Sequence, residues 1–165
     1  MKQRNESELL HMAAAYCSTG EHCIQDVRKK LNAAEASPEA EKRIIDRLLA
    51  EKFIDESRFC RSFVKDKFRF NHWGRIRIRY ELQKKGLAPE VISEAMDDMD
   101  EEAYLSALSA MLKEKKRTTR GRSEQELFLK LCRFAGSRGF EGALITQCLK
   151  PLFKEDCDVN MDDGE

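Results

Sequence analysis

GRIRIRYELQKKG, residues 74–86, admits two readings, and the choice between them decides the fold class. Ile76, Ile78, Tyr80 and Leu82 alternate with Arg75, Arg77, Arg79 and Glu81, the period of a half-buried strand. Ile78 and Leu82, four positions apart, also share one face of a helix, with the arginines fanned around the rest. The remainder of the chain settles the matter. Val27 and Leu31 correspond to Ile78 and Leu82, and again to Leu127 and Leu131, yet the matching stretches 22–33 and 123–134 show no alternation. A helix over 75–84 is therefore expected, with Ile78 and Leu82 inward and the charged positions exposed.

Helical spacing continues on both sides. Leu9, Leu10, Ala13, Ala14 and Cys17 form one apolar stripe; Ile44, Ile45, Leu48 and Leu49 form another; Phe59, Cys60, Phe63, Val64 and Phe68 a third. Val91, Ile92, Ala95 and Met96, then Leu105, Leu108 and Leu112, extend the series. Ser37 before Pro38 marks a helix start, and Ser123 followed by Glu126 is the pattern of a capping box. Gly86 ends the helix that precedes Pro89. At an offset of 100, Leu31, Ile44, Ile45, Leu49 and Phe53 match Leu131, Leu144, Ile145, Leu149 and Phe153. The expected architecture is all-α: three tandem three-helix repeats, 5–54, 55–100 and 101–154, stacked into an elongated, curved array, with 155–165 as a flexible acidic tail.

Composition supports that class. The 165 residues include only 8 Gly and 3 Pro, too few for a turn-rich β fold, while 41% are hydrophobic, enough for a core. No apolar run approaches the ~18 residues of a membrane span, and MKQRNESELLHMAAAYC lacks the apolar centre of a secretory signal. Six cysteines show no CxxC pair, so a reducing cytoplasm is expected.

Thirty basic and thirty acidic residues cancel in sum but not in place. Residues 58–85 hold ten bases against Asp66 and Glu81, and 113–122 hold six against Glu114. Seven carboxylates and no base fall in 90–102, and six carboxylates and no base in 155–165. A charged helical face ordinarily does no more than stay wet, but separate blocks of this kind create local fields. KDKFRFNHWGRIRIRYELQKK, residues 65–85, also interleaves Phe68, Phe70, Trp73 and Tyr80 with cations. Cations that neutralise phosphates and aromatics that stack on bases are the equipment of single-strand binding. The plainer alternative has Phe68 and Trp73 pinning the corner between two helices, with Gly74 lending freedom of φ to the turn.

Catalytic signatures are nearly absent: no GxSxG, GxxxxGK[ST], HExxH or GxGxxG occurs. Gly136, Gly139 and Gly142 read as a loop between the last two helices, and Cys17, His22 and Cys23 lack a fourth metal ligand. Cys60, Cys132 and Cys148 lie on or beside apolar stripes as small buried hydrophobes. No cofactor, metal, membrane or small-molecule substrate is expected.

Two segments resemble a known family. Phe53-Ile54-Asp55-Glu56-Ser57-Arg58-Phe59 followed by Phe63-Val64 resembles the GYLDDxRFAxxFV segment of RecX regulatory proteins. Gly74-Arg75-Ile76-Arg77 with Glu81-Leu82 and Lys85-Gly86-Leu87 resembles their GxxRIxxELxxKGI segment. Lys52 stands where the family has glycine, Cys60 where it has alanine, and the KFRFNHW corner is bulkier. The similarity runs more weakly over residues 9–153.

The resemblance implies a cytoplasmic, non-enzymatic regulator in DNA repair, homologous recombination and the SOS response. It would lie in the groove of the RecA–single-stranded DNA filament and suppress RecA ATPase, strand exchange and coprotease activity. The family supplies no catalytic residues to carry over. Charge and position nominate a basic face of Arg58, Lys65, Lys67, Arg69, Arg75, Arg77, Arg79, Lys84, Lys85, Arg117, Arg120 and Arg122, with Trp73 as a base-stacking residue. An autonomous nucleic-acid-binding protein and a helical scaffold for protein partners are the competing expectations.

Overall fold

The computed structural model describes residues 4–153; the segment 155–165, read above as an acidic tail, lies outside them. Nine α-helices occur among the described residues: α1 Glu6–Ser18, α2 Ile24–Ala33, α3 Pro38–Ala50, α4 Glu56–Asn71, α5 Arg75–Lys84, α6 Pro89–Asp97, α7 Glu101–Thr118, α8 Glu124–Ser137 and α9 Gly142–Leu149. A 3-10 turn, Lys150–Phe153, follows. No strand occurs among the described residues, and the ambiguous stretch is helical from Arg75 to Lys84, with Ile78 and Leu82 fully buried. The fold is an all-α helical-repeat fold.

Local chemistry sets the helix ends. Asn5, Ser37, Asp100 and Ser123 stand at N-cap positions, and each accepts a backbone N–H three residues on. Glu126, the partner expected to complete the Ser123 capping box, accepts instead from the Arg122 N–H, one residue earlier. Asp55 caps α4 by accepting the Arg58 N–H at 3.0 Å, and that bond holds its carboxyl below the ordinary value. Gly86, at φ +83°, turns the chain out of α5 in the left-handed region that glycine tolerates.

Contacts divide the described chain into two compact units, one of residues 4–66 and 80–96, the other of 67–79 and 97–153. In the first, Leu9, Ala13, Val27, Leu31, Ile44, Ile45, Leu48 and Ile54 form a buried cluster. In the second, Tyr104, Leu108, Leu112, Leu131, Ala135, Phe140, Ile145, Cys148, Leu149 and Phe153 form another. The offset-100 register holds at Leu31 and Leu131, both fully buried, but not at its far end: Phe153 is buried and Phe53 exposed. Among the described residues no helix is long and apolar enough to cross a membrane.

Candidate nucleic-acid interface

The corner between α4 and α5 is where cations and aromatics converge, and its shape follows from unmet backbone donors. A helix begins with N–H groups that have no partner within it, and Gly74 offers no capping side chain. The partners come from elsewhere in the second unit. The Gly74 N–H donates to the Arg138 carbonyl at 2.7 Å, the Arg75 N–H to the Tyr104 hydroxyl at 3.0 Å, and the Ile76 N–H to the Gly139 carbonyl at 3.0 Å. Trp73 closes the end of α4 by donating its N–H to the Lys67 carbonyl.

The turn does not use Gly74 as expected. His72 takes the positive φ, at 55°, and Gly74 is absent from the positive-φ residues. Glycine is required at 74 by proximity instead. A Cβ there would fall on the Gly139 carbonyl and within 2.5 Å of the Phe140 nitrogen. Gly139, at φ +95°, is constrained on both counts, because a Cβ there would lie 2.6 Å from the Arg77 nitrogen.

Arg75 was expected to be exposed, and the structure corrects this. Its side chain is 24% exposed; the guanidinium donates to Glu101 and lies 3.0 Å from the Glu141 carboxylate. It also stacks on the Tyr104 ring, 3.9 Å from the centroid. The cause is Tyr104, which is fully buried, so its hydroxyl needs partners. It donates to Glu141 while accepting from Arg75, and the cation neutralises the carboxylate that would otherwise lie half-buried and alone. Burial, then the Glu141 contact, pushes the Tyr104 hydroxyl well above its ordinary pKa. Burial opposes the charge on Arg75, but Glu101 and its other partners hold it more firmly protonated.

Two other nominated residues are also engaged. Arg58 donates to Glu21 at 2.6 Å and to the Lys52 carbonyl at 3.0 Å. Lys85 donates to Asp26 at 3.2 Å. Burial alone would raise Asp26, yet the Cys23 N–H and Lys85 hold its carboxyl below the usual value.

The remaining cations face water to different degrees. Lys65 and Arg69 on α4 are exposed and make no ion pair among the described residues. Lys67 and Arg77 flank Trp73, at 5.1 and 4.3 Å from its ring centroid, and all three are half-buried. Arg79, like Arg77, is half-buried rather than exposed as expected; Lys84 is exposed, near Glu81 at 3.8 Å and over the Tyr80 ring at 5.4 Å. Arg117 pairs with Glu114 on the surface of α7, and Arg120 and Arg122 are exposed beyond its end. Phe68 packs on Tyr104 with centroids 5.6 Å apart, so it pins the corner. Phe70 is open to solvent, 69% exposed.

Reactive groups do not gather. Among the described residues no three His, Cys, Asp or Glu side chains could hold a metal ion. Burial, aided by Glu56, pushes the Cys60 thiol up to about 11, and burial raises Cys17, Cys23, Cys132 and Cys148 as well.

Tyr104, Arg138, Gly139 and Glu141 were missed as parts of the corner. The available signals were the tyrosine at an otherwise apolar helix position and GSRGFEG itself, whose glycines had been assigned only to a loop.

The fold and the corner together define an all-α helical-repeat protein with a cationic, aromatic-bearing corner. Comparison with known proteins names the family. Residues 55–96 match the model of the RecX second three-helix domain. The regulatory protein RecX of Prosthecochloris aestuarii is 30% identical over 152 residues, covering 92% of this chain and 98% of that protein. That of Clostridium acetobutylicum is 28% identical over 135 residues, covering 79% of this chain and 62% of the relative. A crystal structure of a regulatory protein RecX superposes with TM-score 0.80 at 20% identity, over 87% of this chain and 70% of that one. RecX from Lactobacillus salivarius superposes with TM-score 0.79 at 17% identity, over 93% and 97%. The chain belongs to the RecX family of regulatory proteins.

Proposed function

We propose that this protein binds the RecA–single-stranded DNA filament and restrains RecA ATPase, strand exchange and coprotease activity, acting in the cytoplasm and without catalysis of its own. Family membership carries this reading, and the cationic corner gives it a physical basis. Single-stranded DNA in a filament presents phosphates, which attract an array of lysines and arginines. Lys65, Lys67, Arg69, Arg77, Arg79, Lys84, Arg117, Arg120 and Arg122 are proposed as the contacting cations, with Trp73 beside them. Arg58, Arg75 and Lys85 are proposed as supports instead, because their half-buried side chains are paired with Glu21, with Glu101 and Glu141, and with Asp26, whereas Arg117 and Lys84, though near Glu114 and Glu81, stay exposed. The division into repeats at 5–54, 55–100 and 101–154 belongs to the same proposal, supported by the family match over 55–96.

Titration of this protein into RecA hydrolysing ATP on single-stranded DNA tests the reading. Hydrolysis should fall with added protein, and the inhibition should weaken as salt rises. Unchanged hydrolysis at saturating protein and low salt would reject it.

A further inference from the structure

Two aromatic rings in the second unit each lie beside a pair of cations. Lys67 and Arg77 approach Trp73, and Lys115 and Arg138 approach Phe134, at 4.7 and 5.3 Å from its centroid. The second arrangement is built by α7, α8 and the residue that follows α8, outside the α4–α5 segment that the sequence singled out. Arg138 joins the two. Its guanidinium donates to the Asn71 carbonyl at 3.2 Å, and its own carbonyl accepts the Gly74 N–H.

Arg75 is neutralised by Glu101 and Glu141, but Arg77, Lys115 and Arg138 pair with no carboxylate among the described residues. A cation held against a ring keeps its full charge while its side chain is already ordered. Binding an anion there therefore costs less conformational entropy than binding it to a loose lysine. The exposed Phe70 ring adds a flat apolar surface. An acidic peptide would match the charge but give that ring nothing to stack on, whereas a nucleic-acid strand supplies both phosphates and bases.

We propose that single-stranded nucleic acid binds along a strip that runs from Lys115 and Phe134, through Arg138, to Trp73 and Arg77, with Phe70 as a stacking platform. The inference rests on the reading that this protein engages single-stranded DNA, and it places part of that contact on α7 and α8.

Fluorescence anisotropy of a dye-labelled oligothymidylate with the full-length protein, without RecA and over a series of salt concentrations, tests it. Lys115→Gln with Arg138→Gln should weaken binding about tenfold and flatten the dependence of log K on log salt by ~1.4, from ~0.7 for each lost phosphate contact. Lys115→Arg with Arg138→Lys, which keeps both charges, should keep the wild-type dependence of log K on log salt. Arg138→Gln also removes the bond to Asn71, so thermal melting accompanies each variant. If the double variant melts early, Lys115→Gln alone decides, with an expected slope change of ~0.7. The proposal is overturned if the wild type does not bind the oligonucleotide, if the glutamine variant that decides binds unchanged, or if polyglutamate competes as effectively as unlabelled oligothymidylate. RecA inhibition by a protein that leaves the bare strand unbound would remove this strip and leave the filament reading standing.

Discussion

Gly74 passes backbone to backbone against Gly139: the Gly74 N–H reaches the Arg138 carbonyl at 2.7 Å, a Cβ on Gly74 would fall on the Gly139 carbonyl, and a Cβ on Gly139 would fall on Arg77. Gly74→Ala should destabilise the protein by ~1–3 kcal/mol through overpacking. Gly139→Ala should cost more, because a left-handed backbone adds strain of ~1–3 kcal/mol. Thermal melting reads both, at ~2–4 °C per kcal/mol for a chain of this size. Wild-type melting of either variant would mean the backbones can separate freely.

The Tyr104 hydroxyl ties Arg75 to Glu141, so Tyr104→Phe leaves a backbone N–H unpaired in a half-buried place. A loss of ~1–3 kcal/mol is expected in urea denaturation. Arg75→Glu should cost at least ~2 kcal/mol, since it would gather three carboxylates around one buried ring. A variant of Arg75 that loses RecA inhibition would on this account report unfolding rather than a lost contact, so melting must be measured beside activity.

Lys65→Glu with Arg69→Glu provides the contrasting case. Both side chains are exposed and make no ion pair among the described residues, so each change should shift stability by no more than ~0.5 kcal/mol. Inhibition of the RecA ATPase should fall steeply at low salt. Full inhibition by the folded double variant would take α4 out of the contact.

Leu82 is fully buried at the position shared with Leu31 and Leu131. Leu82→Ala should cost ~2–5 kcal/mol by denaturant titration. A cost below ~1 kcal/mol would show that the shared inward face carries little of the packing.

Alkaline pH offers a test that needs no new side chain. Cys60 is raised from 9.0 to about 11 when folded, and Tyr104 is raised above 10.0. For such groups the stabilisation is complete below the unfolded pKa and is lost as pH rises toward the folded one. Stability should therefore hold to about pH 9 and decline between about 9 and 11. Cys60→Ala should make that decline shallower. A flat profile across the range, measured by denaturant midpoint, would contradict the burial assigned to both groups.

The elements were legible because their signals are local. Ser37 and Ser123 cap helices where their neighbours demand it, and the repeat of Val27, Ile78 and Leu127 resolved an alternating stretch that periodicity alone left open. The corner was legible only in composition. Nothing near Arg75 in the sequence reveals that Glu101, Tyr104 and Glu141 will neutralise and enclose it, since each is brought there by packing. Gly74 was rightly singled out for the wrong reason: His72 supplies the unusual φ, and the glycine admits a passing backbone. Phe53 and Phe153 show the same limit, for equivalent register positions acquire different burial once each meets its own neighbours.

The route by which Arg138 reaches the Asn71 carbonyl, 67 positions earlier, bears on how the protein is made. A ribosome delivers the α4–α5 corner long before it delivers the loop that satisfies the first N–H groups of α5. Through that interval the Gly74 and Ile76 N–H groups have only water for partners. The corner is thus completed late in synthesis, by the last third of the chain. A nascent protein halted before Arg138 would carry the cations of the α4–α5 block with the Gly74 and Ile76 N–H groups still uncapped, so this corner is completed only by translation of α8 and the turn beyond it.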